Sequence, residues 1–316
     1  MVYRSFADLS NLIRINLYKI PHDIDVVVGI PRSGMLPANL IALYLNKRMS
    51  DLDSFIEGKL IASGERDKYI AKSDIHKVLI VDDSVDSGNA INKAKKKLAP
   101  LADSYELLYL APIVTPYGAS MVDIWFEILD GNNRIFEWNF YHHSFLSNAC
   151  MDIDGVLNVD PEIDDDGPIY TNYIENATPL FIPTVPVDTL VSCRLEKYRP
   201  QTEKWLKEHN VQYNRLVLLD MPTKKAREAW NKHGEYKGKV YRNGNYSMFV
   251  ESSLWQAVII AITAHKEVFC VETNSFVQPN WTMPPKQNFK KRLKQRMPFL
   301  FSILSKIKRT LKPKKR

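Results

Sequence analysis

The sequence predicts an α/β protein: two parallel-sheet domains followed by a basic amphipathic C-terminal helix. Three observations predict it. Short apolar runs at residues 25–30, 78–81 and 107–111 alternate with stretches of helical period, such as Leu36, Leu40, Leu43 and Leu45, and strands that alternate with helices build a parallel sheet. A second set of strand ends, at Asp152, Ser192 and Glu251, follows in the later half. Lysine and arginine then crowd residues 286–316 around a short apolar stretch. A chain of 316 residues that is 45% hydrophobic is long enough for two packed cores. The expected division is 1–146, 147–285 and 286–316.

In residues 1–19 charges interrupt every apolar stretch and no small-residue cleavage site follows, so no secretory signal is expected. No run of about 18 apolar residues occurs, so no membrane span is expected either. Cys150, Cys193 and Cys270 form no Cys-x-x-Cys pair and are too scattered for a disulfide framework. They read as small buried side chains in a reducing cytoplasm. Thirteen of the 43 basic residues lie in 286–316, which has no acid, and the remaining 30 face 36 acids. The folded body is therefore acidic, and no nucleic-acid partner is expected.

The first strand ends in Gly29-Ile30-Pro31-Arg32-Ser33-Gly34. The second ends in Asp82-Asp83-Ser84-Val85-Asp86-Ser87-Gly88-Asn89, before a helix holding Ala90, Ile91 and Ala94. Parallel sheets bind ligands at the carboxyl ends of their strands. A loop of this composition turns backbone N–H groups and the Ser87 hydroxyl toward a phosphate at a helix N-terminus. Adjacent Asp82 and Asp83 suit the vicinal hydroxyls of a ribose, since carboxylates accept hydrogen bonds; the plainer alternative is a turn with Asp at a helix cap.

This stretch resembles the donor-binding motif of type I phosphoribosyltransferases. The resemblance implies phosphoribosyl pyrophosphate (PRPP) as donor, with Asp82 and Asp83 on the ribose hydroxyls and Asp86, Ser87, Gly88, Asn89 and Ala90 around the 5-phosphate. Arg32, Ser33 and Gly34 fall on the family's pyrophosphate loop, where Arg32 offers bidentate contacts. The family's flexible basic loop would fall at 58–72, with Lys59, Arg66 and Lys68. Reaction at C1 passes through an oxocarbenium-like state, so Mg2+ and Arg32 would neutralise the leaving pyrophosphate. Asp86 is the implied base, toward either a nucleobase ring nitrogen or a hydroxyl. Asn89-Ala90 departs from the hydroxyl-rich end common in this loop. Trp125, Phe126, Phe136, Trp138, Phe140 and Tyr141 lie where the family builds its acceptor hood, and read equally as packing.

In the second domain, Asp152 and Asp154 stand at i and i+2 on a strand end. Aspartate is a workable nucleophile toward phosphorus because its acyl phosphate hydrolyses readily. Met151-Asp152-Ile153-Asp154-Gly155 resembles the first motif of the haloacid dehalogenase superfamily of phosphotransferases. The resemblance makes Asp152 the nucleophile, Asp154 the acid/base and Ser192, at the end of a strand through 189–194, the second-motif hydroxyl. Lys237 is the preferred phosphate-neutralising lysine over Lys239, Lys224 and Lys225. Glu251 is the acidic ligand, so that Mg2+ would be held by Asp152, the Asp154 carbonyl and Glu251. Only one acid occupies the fourth motif, where many members carry two. Only 37 residues separate Asp154 from Ser192, too few for a large lid domain, and the run Asp164-Asp165-Asp166-Gly167 within them reads as a solvated turn.

The tail places Met297, Phe299, Leu300, Phe301, Ile303, Leu304 and Ile307 between basic clusters. It reads as a helix lying in an anionic membrane surface, or as a disordered or docked basic tail. The whole combination resembles the dual-domain ribofuranosyltransferases of bacterial surface polysaccharide (O-antigen or capsule) assembly. That resemblance implies a lipid-linked glycan acceptor and a location on the inner face of the cytoplasmic membrane. The alternative is a nucleobase phosphoribosyltransferase fused to a nucleotidase.

Overall fold

Ser5 opens the first helix by accepting from the Asp8 N–H while the Asp8 carboxylate caps the Ser5 N–H in return. The computed structural model describes residues 1–61, 64–69, 74–131, 134–162 and 166–281, and the chain divides after Phe140 into two compact units. Strand β1 (Val2–Arg4) precedes that helix, α1 (Phe6–Asn16). Next come β2 (Val26–Gly29), α2 (Met35–Leu45), β3 (Arg48–Asp51) and α3 (Leu52–Ile56), whose first N–H groups the Asp51 carboxylate caps. The first unit continues with β4 (Lys77–Val81), β5 (Ser84–Val85), α4 (Asn89–Leu98), β6 (Glu106–Val114), β7 (Ile124–Ile128) and β8 (Arg134–Phe136).

The order β3-β2-β4-β6-β7 makes a sheet in which every neighbour is parallel. β5 resumes the line of β4 along β6 with the same partner offset, so Asp82 and Asp83 interrupt one strand without shifting its register. Period-2 alternation sends Val26, Val28, Val78 and Ile80 to a core shared with Ile91 and Leu98. Val27, Leu79 and Val81 go to the opposite core, with Leu9, Ile13 and Ile41. From β2 the chain steps outward to β3; from β4 it steps the other way to β6. The loops after β2 and β4 therefore diverge, and their carboxyl ends flank a crevice.

The second unit contains β9 (Ala149–Met151), α5 (Pro168–Asn176), β10 (Val187–Leu195), α6 (Arg199–Glu208), β11 (Tyr213–Leu219) and α7 (Lys224–Trp230). It continues with α8 (His233–Asn243), β12 (Met248–Glu251), α9 (Leu254–Ala264), β13 (Val268–Cys270) and β14 (Ser275–Val277). The order is β11-β10-β9-β12-β13-β14, parallel except for the last pair. The chain winds from β9 through β10 to β11, then restarts on the far side with β12. A second switch point thus opens at the ends of β9 and β12. Tyr241 of α8 and Val258 and Ala261 of α9 cover one face.

The α/β class with parallel sheets is what the alternating pattern predicts. Cys150 and Cys270 are buried, and all three cysteines are free thiols. The tail 286–316 lies outside the described residues, as do Asp164, Asp165 and the Arg66 side chain. Asp166, from the acidic run, is a structural tie: it pairs with Lys197 at 2.7 Å and accepts from the Lys224 N–H at 3.0 Å, at the start of α7. Among the described residues no helix is long and apolar enough to cross a membrane.

Candidate functional site

The crevice of the first unit brings together the two loops singled out in the sequence. Ser33 Oγ, after β2, donates to Asp83 Oδ1 at 2.8 Å. The Asp83 N–H donates to Asp82 Oδ1 at 2.9 Å, and both carboxyls are buried. The Ile30 N–H donates to the Val81 carbonyl at 2.8 Å, which seats one loop on the other. Gly34 makes this approach possible. A Cβ there would lie 2.5 Å from the Ile30 oxygen and 2.8 Å from the Val81 oxygen, both backbone atoms. Gly34→Ala is therefore expected to cost about 1–3 kcal/mol, read as a lowered melting temperature. Gly88, at φ 75°, starts α4 from the left-handed region, and a side chain there would collide with Met121. Ser87, Asn89 and Ala90 are exposed around this helix start, and Arg32 is exposed on the facing loop.

Burial first, and then the neighbouring Asp83 charge, push the Asp82 carboxyl up to about 7. The folded chain thus keeps a proton there that the unfolded chain loses near pH 4, so the ionised carboxyl costs stability increasingly from about pH 4 to about 7. Asp82→Asn removes that cost. Without added metal it should stabilise the protein by an amount of the order of 2–4 kcal/mol at pH 8 and by little at pH 4, read from melts at the two pH values.

Asp86 stands apart from this pair. Its side chain is 57% exposed and lies 3.4 Å from the Arg134 guanidinium, while its backbone carbonyl accepts from Thr115 Oγ1 at 3.4 Å. Of the aromatic stretch, Phe136 and Phe140 are core residues. Trp138 instead turns its indole N–H to Asp83 Oδ2 at 2.7 Å. In the expected basic loop, Lys59 pairs with Glu57 at 2.6 Å on the surface.

In the second unit, Asp152 is the first residue beyond β9. Its N–H donates to Val250 of β12 at 2.9 Å, and its Oδ1 accepts from the Ile153 N–H at 2.9 Å. Lys237, from α8, reaches Asp152 Oδ2 at 2.7 Å and Glu251 Oε2 at 2.8 Å. All three are buried, so two carboxylates share one cation in a low-dielectric setting. Burial pushes the Asp152 carboxyl well above its usual range; Lys237 opposes the shift, and the charges of Glu251 and Asp154 add to it. Of the lysines weighed in the sequence, Lys237 is the one that meets the acids; Lys224 lies 3.6 Å from Glu228.

Asp154 is clamped. Arg194 grips it with Nη2 on Oδ1 at 2.6 Å and Nε on Oδ2 at 3.1 Å, and the Tyr173 hydroxyl donates to Oδ1 at 2.8 Å. Burial alone would raise this carboxyl, but the Arg194 guanidinium holds it below the usual carboxylate range. Ser192 is buried on β10, with its Oγ accepting from the Arg194 N–H at 3.1 Å. A cavity of about 350 Å³ joins Asp152, Asp154, Ser192, Arg194 and Lys237, with Arg227 of α7 on its wall.

Among the described residues no cluster of three or more His, Cys, Asp and Glu side chains is placed to hold a metal ion. The donor set expected from the sequence has only two carboxylates, Asp152 and Glu251, with one backbone carbonyl. Oxygen donors of this kind are the type a hard divalent cation takes.

Residues 6–101 match the phosphoribosyl transferase domain family. The first unit therefore carries a phosphoribosyltransferase domain, whose matched part includes both crevice loops and ends before the second unit begins. Among solved structures, the chain is similar to a purine phosphoribosyltransferase from Pyrococcus horikoshii, at 21% identity over 43% of this chain and 92% of that one, with a TM-score of 0.32. A Helicobacter pylori xanthine-guanine-hypoxanthine phosphoribosyltransferase matches at 15% identity, over 43% and 92%, with a TM-score of 0.34. An adenine phosphoribosyltransferase from Saccharomyces cerevisiae matches at 24% identity, over 39% and 78%, with a TM-score of 0.26. No curated protein matches the chain.

Sequence reasoning did not find the partners that fix the acids: Trp138 and Arg134 in the phosphoribosyltransferase domain, Arg194 and Tyr173 in the second unit. Arg194 left a signal, since it lies two residues beyond Ser192 on one strand and so shares its face. Trp138 and Asp83 are far apart in sequence, and no local spacing announces their contact.

Proposed function

We propose that the protein transfers the 5-phosphoribosyl group of PRPP to a hydroxyl of a lipid-linked glycan and then removes the 5-phosphate. The product is a ribofuranosyl residue in a surface polysaccharide of the O-antigen or capsule type. The observation that carries this reading is the presence on one chain of two switch-point sites: the acid-pair crevice and the buried Asp152-Lys237-Glu251 cluster on its own cavity.

In the first step the C1–O bond to pyrophosphate breaks and a C1–O bond to the acceptor forms. Asp82 and Asp83 hold the ribose hydroxyls, Asp86 through Ala90 seat the 5-phosphate at the start of α4, and Ser33 and Gly34 shape the pyrophosphate loop. Arg32 offsets the charge on the departing pyrophosphate, and Asp86, exposed and close to Arg134, takes the acceptor proton. In the second step an Asp152 oxygen attacks phosphorus, the bond to O5 breaks, and water then hydrolyses the acyl phosphate. Asp154, ionised beside Arg194, first takes the proton of the monoanionic phosphate ester, gives it to O5 as that bond breaks and then takes one from the attacking water, while Ser192 and Lys237 orient and neutralise the phosphoryl oxygens. Mg2+, when bound by Asp152, the Asp154 carbonyl and Glu251, would supply further charge neutralisation there, as it would beside the pyrophosphate of PRPP.

A second cavity of about 330 Å³ offers room for a neutral polar group. It shares Asp160 and Pro161 with the first and is lined by Asn172, Tyr173, Asn176 and Glu162 beside Val159 and Ile169, with no Lys, Arg or His among the described residues. Amides and carboxylates can pair with neutral sugar hydroxyls. The basic tail would hold the protein at an anionic membrane surface, beside a lipid-linked acceptor.

The test is release of pyrophosphate and of phosphate by the full chain given PRPP, Mg2+ and either a lipid-linked glycan extract or a panel of nucleobases. The reading requires both products with the glycan. Both products with a nucleobase alone would replace it with the nucleotidase fusion.

A further inference from the structure

Asp83 is held from two sides, by Ser33 on Oδ1 at 2.8 Å and by the Trp138 indole on Oδ2 at 2.7 Å. A carboxylate turns easily about its last torsion, and one donor on each oxygen fixes its plane. Each oxygen keeps a second lone pair, so the outer edge remains able to accept from a diol. Trp138 is itself well seated: it stacks on Phe136 at 4.8 Å with the rings 7° apart, and its centroid lies 5.9 Å from Phe6. Its turn, Glu137–His142, is anchored by Glu137, which accepts from the Phe6 N–H at 2.7 Å. Asn139, the residue after Trp138, accepts from Arg32 Nη2 at 3.4 Å. One short turn therefore touches both the acid pair and the loop after β2.

We infer that Trp138 is a positioning residue of the donor site, orienting Asp83 toward the ribose hydroxyls of PRPP and making the turn 137–142 responsive to donor binding. The inference rests on the reading of the first unit as a PRPP site.

The experiment titrates Mg2+ and PRPP into the full chain, following heat and tryptophan fluorescence, for wild type, Trp138→Phe, Ser33→Ala and the double variant. Wild type should bind with a fluorescence change that Trp138→Phe largely removes, although five of the six tryptophans remain. Trp138→Phe should weaken PRPP about tenfold, the size expected for one hydrogen bond to a charged group. The KM for PRPP should rise with it while kcat stays within about twofold. The double variant should lose less than the product of the single losses, because both donors act through one carboxylate. Trp138→Tyr, which keeps a ring in the stack, repeats the test if phenylalanine lowers the melting temperature. Unchanged affinity together with the full fluorescence change in either folded variant would overturn the inference. No binding by wild type would instead sink the reading of the donor site itself.

Discussion

Asp152→Asn is expected to stop phosphate release, by at least about a thousandfold, while pyrophosphate release stays within about twofold of wild type. The asymmetry follows from the architecture. Asp152 lies in the second unit, just beyond β9, tied to Val250 and Lys237 and through Lys237 to Glu251. None of the loops that build the crevice of the phosphoribosyltransferase domain belongs to that unit. Asparagine keeps the shape of the side chain and its acceptor for the Ile153 N–H but lacks the anionic oxygen that attacks phosphorus. It also relieves the crowding of buried carboxylates around Lys237, so the variant should melt no lower than wild type. Phosphate and pyrophosphate assays on one preparation, with a melt as control, check all three points.

Arg194→Met is expected to destabilise the protein by about 3 kcal/mol at neutral pH, because it leaves the Asp154 charge, whose side chain is only 20% exposed, without its guanidinium partner. Arg194→Lys restores the charge without the fork and should recover only part of the loss. The pH dependence has a definite sign. Arg194 depresses the Asp154 carboxyl in the folded state, so the stabilisation is fully present above the unfolded value near pH 4 and is lost as pH falls through the lower folded value. Wild type and Arg194→Met should therefore converge at acid pH. Adding Asp154→Asn to Arg194→Met should return much of the lost stability at neutral pH, since no half-buried charge is then left without its partner. Denaturant melts across pH measure each of these differences.

The strands and helices that carry the two sites were legible because their signals are local. Buried runs such as 26–29 and 78–81 have no competing period, and Asp82-Asp83 and Asp152-x-Asp154 sit where such runs stop. The strand expected at 107–111 extends over Glu106–Val114, because it pairs with β4, β5 and β7 in turn, and pairing length is set by neighbours. The β1–β8 pair was not legible, since it joins three-residue strands from opposite ends of the unit. The same limit hid the electrostatics. Asp82 and Asp83 look equivalent in sequence, yet Asp83 accepts from Ser33 and Trp138 while Asp82 accepts from the Asp83 N–H. Asp152 and Asp154 look like a matched pair, yet one faces Lys237 and the other is clamped by Arg194. Residue type and spacing placed the carboxylates; the folded surroundings give each its own partners.

The most direct test of the two-step account is intact-mass analysis of the product made by Asp152→Asn from PRPP, Mg2+ and a lipid-linked glycan, before and after addition of wild-type protein. The account predicts a glycan carrying one phosphoribosyl group that wild type converts to a glycan carrying ribose. A glycan that gains no phosphoribosyl group, or one whose phosphate wild type leaves in place, would contradict it.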